Sequence, residues 1–300
     1  MYASPANRWE NANTTGGFKS QAMTSRRSVR GFSGAVEAIA RHWREHAVSP
    51  DDWRATTGKT GEAEGEAQGY FVTSGPLNAY AKPSAIDPGP NAPPRAAHEK
   101  IASDLAFDLG LPLPPAILHS WKGKPAAGNQ PFVVLSLIPF LAAHKWRVVR
   151  AIPDVELQLR QQLIGAASAI VPFDTWLDNR DRPNDGNLLV SQADANPPGS
   201  LVAAYIDYAY CMTHGWRQGD YKVMTPVAIY PIDASAADKT IMDDVIKRIE
   251  ELPDENIRKV VNRIPSDFLS ESDRTHVVDG LLYRRQLLRN VLKPAYGANT

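Results

Sequence analysis

The sequence predicts an α+β protein, β-rich in its N-terminal part and mainly helical in its C-terminal part. Three observations carry that expectation. Short apolar runs separated by turn residues fill Trp53 to Ile138, and helical periodicity takes over from Val155. A carboxylate-rich polar stretch, Phe173 to Val190, then stands clamped between apolar segments. The expected units are a flexible arm over 1–30, an N-terminal lobe with a leading helix over 31–138, and a helical C-terminal lobe over 139–300.

A chain of 300 residues has ample length for a real core, in one large domain or two lobes sharing a cleft. Its formal net charge of zero gives no global basic field to favour nucleic acid or an anionic membrane. The single cysteine, Cys211, excludes an internal disulfide and fits a reducing compartment. The longest apolar run, Phe132 to Ala143, is broken by Pro139 and is too short to span a bilayer. The N-terminus carries no apolar signal core, so a cytoplasmic location is expected.

In chain order, the arm is polar, with Ser25 and Ser28 beside Arg26, Arg27 and Arg30, and reads as disordered and basic. Ser33 to His46 reads as an amphipathic helix, N-capped by Ser33, with Val36, Ile39, Ala40 and Trp43 on one face. Strands are expected from Trp53 into a loop holding Gly58, Gly61 and Gly65, over Gly69–Thr73, and over Ala79–Pro83. Those glycines match neither the Gly-x-Gly-x-x-Gly spacing nor a Walker A loop, so a plain flexible hairpin explains them equally well. Lys82 closes an apolar strand, and after a proline-rich linker to Pro94 a helix from Arg95 stops at Gly110. Glu99, near the start of that helix, is positioned to pair with Lys82 if the helix packs on the sheet. Pro131 to Ile138 reads as a buried strand ending at the connection between lobes. Val155 to Ile170 is a strong helix running into the Phe173 loop. Lys239–Leu252, Glu255–Ile264 and Ser272–Leu292 form a supporting bundle without a catalytic constellation.

The Phe173 stretch carries the chemistry. It gathers Asp174, Asp178, Asp181, Asp185, Asn179, Asn184 and Asn187, then turns apolar at Leu188 to Val190. A turn over Ser191–Gly199 and a second apolar run, Leu201 to Ile206, make a hairpin that brings Asn187 and Asp207 close together. Mg2+ takes oxygen ligands and is usually held by one or two side chains plus phosphates. A loop Asp, an Asn a turn later and an Asp after a hairpin is the layout of a kinase catalytic loop and its metal-binding Asp. Asn179-Arg180-Asp181 echoes the His-Arg-Asp triplet of that loop. An EF-hand is set aside, because Pro183 occupies a ligand position and Gln192 stands where the bidentate Glu belongs.

Over about residues 50 to 293 the chain resembles the HipA-like kinase family, within the protein-kinase and phosphatidylinositol-kinase-like superfamily. The resemblance lies in Ala79-Tyr-Ala-Lys82, Glu99 followed by Leu105 to Pro115, Asn179-Arg-Asp-Arg182, Gly186-Asn-Leu-Leu189 and Ile206-Asp-Tyr208. It continues in Ile264-Pro-Ser-Asp-Phe268 and Leu281-Leu-Tyr-Arg-Arg285. It implies a bilobal protein-kinase-like fold and transfer of the γ-phosphoryl group of ATP to a hydroxyl acceptor, foremost a protein Ser/Thr. By the same resemblance Asp181 is the catalytic base or orienter, Lys82 braced by Glu99 binds phosphates, and Asn187 with Asp207 holds Mg2+. Leu135 and Leu137, at the connection between lobes, are the expected backbone contacts for adenine.

Two departures stand out. Asn187 lies six positions after Asp181, one more than the common spacing, so the loop must bulge or Asn184 must take the metal. The second metal residue sits in Asp207-Tyr-Ala rather than Asp-Phe-Gly, which speaks against activation-loop switching. Alternatives are a pseudokinase or other nucleotide-binding partner module, a nucleotidyl transferase on the same fold, and a kinase for inositol lipids or small molecules.

Overall fold

The first helix, α1 (Gly34–Glu45), opens where Ser33 accepts a hydrogen bond from the Val36 amide at 3.4 Å, and it buries Val36, Ala40 and Trp43. The computed structural model describes residues 32–56, 69–84, 94–121, 132–139, 143–191, 201–212, 216–217 and 219–297. The expected arm, the loop of Gly58, Gly61 and Gly65, most of the linker before Pro94 and the hairpin turn after Ser191 lie outside the described residues.

Five antiparallel strands follow: β1 (Arg54–Ala55), β2 (Tyr70–Ser74), β3 (Leu77–Pro83), β4 (Ala116–Ser120) and β5 (Phe132–Leu137), in the order β1-β2-β3-β5-β4. Side chains alternate between the two faces of a strand, which sorts this sheet into two environments. One face presents Tyr70, Val72, Ala79, Ala81, Val133, Leu135 and Leu137, which pack with Trp53 against Val36 and Trp43 of α1. The other carries Lys82 beside Val134 and Tyr80 beside Ser136, as the β3–β5 register requires.

Against this second face lies α2 (Arg95–Leu109), whose sequence has no polar stripe because nearly every side chain is enclosed. Sheet, α1, α5 and α6 all touch it. Gly110 ends it in the left-handed conformation at φ 69°, a position that favours glycine, and its amide closes on the carbonyls of Ala106 and Phe107.

The C-terminal part holds a three-stranded sheet, β6 (His144–Lys145), β7 (Leu188–Ser191) and β8 (Val202–Tyr205), with helices α3 (Trp146–Arg150), α4 (Pro153–Leu177), α5 (Lys239–Glu250), α6 (Asp254–Asn262) and α7 (Glu271–Tyr296). The three last helices fall within a few residues of their expected bounds. α4 does not: it runs through Pro172 to Leu177, so Phe173 to Leu177 are helical and the loop starts at Asp178. Burial explains the extension. Val171, Phe173, Trp176 and Leu177 are enclosed in the main core, and Trp176 Nε1 donates to the Leu281 carbonyl of α7 at 2.9 Å. α7 also accepts Trp216 flush against Gly280, where a Cβ would come within 2.5 Å of the indole. One apolar core continues from Ile101 and Leu105 of α2 through α4 to α5 and α7. No helix among the described residues is long and apolar enough to cross a membrane.

Candidate functional site

α4 delivers the polar loop. Its C-terminus closes at Asp178 in the left-handed conformation, and the chain then reverses through Asn179 to Asn184. Arg182 is the buried hub of this reversal. Its guanidinium donates to Asp174 on α4 at 2.6 and 3.3 Å, to the Asn187 carbonyl at 2.9 Å and to the Ile206 carbonyl at 3.2 Å. The rings of Tyr205 and Tyr208 lie 5.1 and 5.0 Å from it. Burial works to discharge Arg182, but the Asp174 carboxylate outweighs it and keeps the guanidinium firmly cationic. One side chain thus fixes the loop, the start of β7 and the end of β8 together.

The long spacing to Asn187 is taken up by two successive turns, with the Asn184 amide on the Asp181 carbonyl at 3.2 Å and the Asn187 amide on the Asn184 carbonyl at 2.9 Å. The Asn184 side chain is exposed and is spent accepting from the Gly186 amide. Asn187 is buried, and its Nδ2 donates to Asp181 Oδ2 at 2.7 Å and to the Asp181 carbonyl at 3.1 Å. Of the two asparagines, it is Asn187 that stands beside Asp181. Its side-chain oxygen remains the atom suited to a cation. Asp185, in the same turn, is tied to Arg150 at 2.7 Å and accepts from the Tyr230 hydroxyl.

The hairpin pairs Leu188 with Tyr205, and the Ile206 amide donates to the Asn187 carbonyl at 3.0 Å. Asp207 follows at φ 66°, a left-handed backbone that turns its side chain out of the strand path. Its Oδ1 reaches Lys82 Nζ at 3.1 Å. Lys82 also donates to Glu99 Oε1 and Oε2 at 3.1 and 3.2 Å, and the Ser136 hydroxyl donates to the same Oε1 at 3.1 Å. A lysine of the five-stranded sheet therefore joins a carboxylate of α2 to one that follows the three-stranded sheet.

Electrostatics follow from this crowding. Burial works to lower the Lys82 pKa, yet Asp207 and Glu99 together raise it above the usual lysine value. Burial lifts the Glu99 carboxyl, with Lys82 opposing. Burial pushes Asp207 the same way, but Lys82 prevails and holds it below the usual carboxylate range.

The structure brings Lys82, Glu99 and Asp207 into contact, and Asp181 and Asn187 into a second contact at the base of the same hairpin. Leu135 and Leu137, expected to meet adenine through their backbone, lie one and three positions beyond Val134, the β5 partner of Lys82. Both side chains lie on the α1 face, opposite Lys82. Leu135 sits between β3 and β4 partners, and the Leu137 amide already donates to the Pro115 carbonyl at 2.9 Å. The intervening residue, Ser136, is the one on the Lys82 face. Pairing Lys82 with Val134 in an alternating strand would have found it. Arg182 and Asp174 were also missed, because a fully buried ion pair leaves no mark in composition. So was Arg284 of α7, which donates to the carbonyls of Thr175, Trp176, Tyr221 and Val223 and so ties the end of α4 to the segment after Asp207.

Among the described residues no cluster of three or more His, Cys, Asp or Glu side chains could hold a metal by itself. Asn187 and Asp207 offer hard oxygen donors on neighbouring backbone, the donor set that Mg2+ uses when phosphates complete its shell. These residues fit a magnesium nucleotide and do not fit a transition-metal cage.

Sheet, enclosed α2, polar loop and hairpin together make this a kinase-like fold. The chain is similar to the crystal structure of a Helicobacter pylori proinflammatory kinase, CtkA, at a TM-score of 0.59 and 15% identity, covering 84% of this chain and 97% of that one. No protein-family model matches the sequence, and a comparison with curated proteins gives no match.

Proposed function

We propose that this protein is an ATP-dependent kinase of HipA-like type that transfers the γ-phosphoryl group to a hydroxyl, foremost of a protein serine or threonine. The observation that carries the reading is the contact of Lys82 with both Glu99 and Asp207, beside a loop in which Asp181 and Asn187 touch. The likeness to a solved kinase structure supports it at the level of fold. Bound Mg2+ and ATP supply the phosphoryl group and the charge that offsets its oxygens.

The protein's own share is positioning and charge. Lys82, held cationic between two carboxylates, binds phosphate oxygens, and Glu99 keeps its ammonium in place. Asn187 and Asp207 hold the cation, with Arg182 fixing the backbone of both ends. Asp181, oriented by the Asn187 amide group, aligns the acceptor hydroxyl and receives its proton. The two-lobe division at residue 138 and a cytoplasmic setting belong to the same reading, the latter supported by the lone buried Cys211.

The test is incubation of the purified protein with Mg2+ and γ-labelled ATP, alone and with cell lysate, beside Asp181→Ala. Label on the protein or on a lysate band, absent with the variant, is the expected result. ATP binding without γ-label transfer would instead make the protein a nucleotide-binding module or, if α-label is transferred, a nucleotidyl transferase.

A further inference from the structure

The helix that carries Glu99 is held from the far side by the C-terminal helices. Asp104, buried on α2, accepts from Lys100 Nζ at 2.9 Å and from the guanidinium of Arg263. Arg263 caps the end of α6, and its other nitrogen donates to the Arg44 carbonyl in α1. Lys100 completes the junction with a 2.6 Å bond to the Trp43 carbonyl. Arg263 is itself held in place, since Arg274 of α7 donates to the carbonyls of Val261, Asn262 and Ile264 on either side of it. At the end of α2, Arg248 of α5 donates to the Leu109 carbonyl.

These contacts limit what α2 can do. Asp104 lies five positions after Glu99, so a turn of the helix about its axis that freed Glu99 from Lys82 would also pull Asp104 from Arg263. Leaving a buried carboxylate or guanidinium without its partner is costly, so the two contacts are linked.

We propose that Arg263 is a positioning residue for the nucleotide site: through Asp104 it sets the rotation of α2 and hence the reach of Glu99 to Lys82. The C-terminal helices are then part of the phosphate-binding apparatus. This rests on the kinase reading above.

The experiment compares R263M, R263K and D104N with wild type in the full chain, reading melting temperature, Mg2+-ATP affinity by calorimetry and the KM and kcat of label transfer. R285M is the control, because Arg285 joins α7 to Asp254 and the Leu252 carbonyl and touches nothing on α2 that the site uses. R263M should weaken Mg2+-ATP binding about tenfold, seen as a raised KM, and R263K should recover most of it. R285M should lower the melting temperature and leave ATP affinity unchanged. Unchanged affinity in R263M, or equal losses in R263M and R285M, would overturn the proposal. If R263M does not fold, D104N decides in its place: weakened Mg2+-ATP binding supports the proposal and unchanged affinity overturns it. Absence of Mg2+-ATP binding in wild type would remove the kinase reading and this inference with it, whereas binding in wild type and equal binding in R263M removes the inference alone.

Discussion

Lys82 on β3 and Lys100 on α2 are both buried, and each meets a carboxylate of α2. Burial presses both toward neutrality. Lys82 faces two carboxylates, Glu99 and Asp207, with no cation nearby among the causes of its shift, and its pKa rises. Lys100 shares Asp104 with Arg263 and also feels Arg44, and its pKa falls to about 8. The count of neighbouring charges decides the outcome where burial is equal. The lysine proposed to meet phosphate is kept charged, while the one at the structural junction releases its proton more readily than a free lysine.

The largest effect should come from breaking the first member. Lys82→Met should reduce γ-label transfer by about 100-fold or more, the scale for removing a charged donor from a phosphoryl-transfer site; a variant near wild-type rate would remove Lys82 from the mechanism. The second member is tested by pH. Below about pH 8 Lys100 is protonated folded and unfolded, so the cost of burying its charge is fully present. Between about 8 and the ordinary value of 10.5, the folded state has released a proton that the unfolded state keeps, so stability rises with pH. Urea melts of wild type against Lys100→Met across that window should show a relative gain of about 3 kcal/mol in wild type. A flat difference would mean that the lysine stays charged. The smallest effect is expected from Ser136→Ala, which removes one hydrogen bond from Glu99 and leaves both Lys82 contacts, for a loss of about 1 kcal/mol by the same melts.

Much of this was legible beforehand, for local reasons. Ser33 and Gly110 declare themselves through capping, and the Leu188–Val190 and Leu201–Ile206 runs as short apolar stretches on either side of a turn; Gly110 bounds the helix that carries Glu99, and the two runs form the hairpin beside Asn187 and Asp207. What escaped notice depended on contacts distant in sequence. The polar stretch from Phe173 was expected to be loop, yet burial of Phe173 and Trp176 carried α4 on to Leu177. Leu135 and Leu137 were placed by chain position, whereas the β3–β5 register puts Ser136 on the Lys82 face. Arg182 was named only as part of the Asn179-Arg-Asp-Arg182 motif and given no role, and only the fold shows it enclosed against Asp174.

The most direct test of the central claim is a calorimetric titration with ATP, with and without Mg2+, of wild type and Asp207→Asn. Binding that requires Mg2+ in wild type and weakens at least about tenfold in the variant is the predicted result, since the variant loses the carboxylate that meets Lys82 and that, in the proposed reading, would hold the cation. Binding that ignores both Mg2+ and the substitution, or no binding at all, would contradict it.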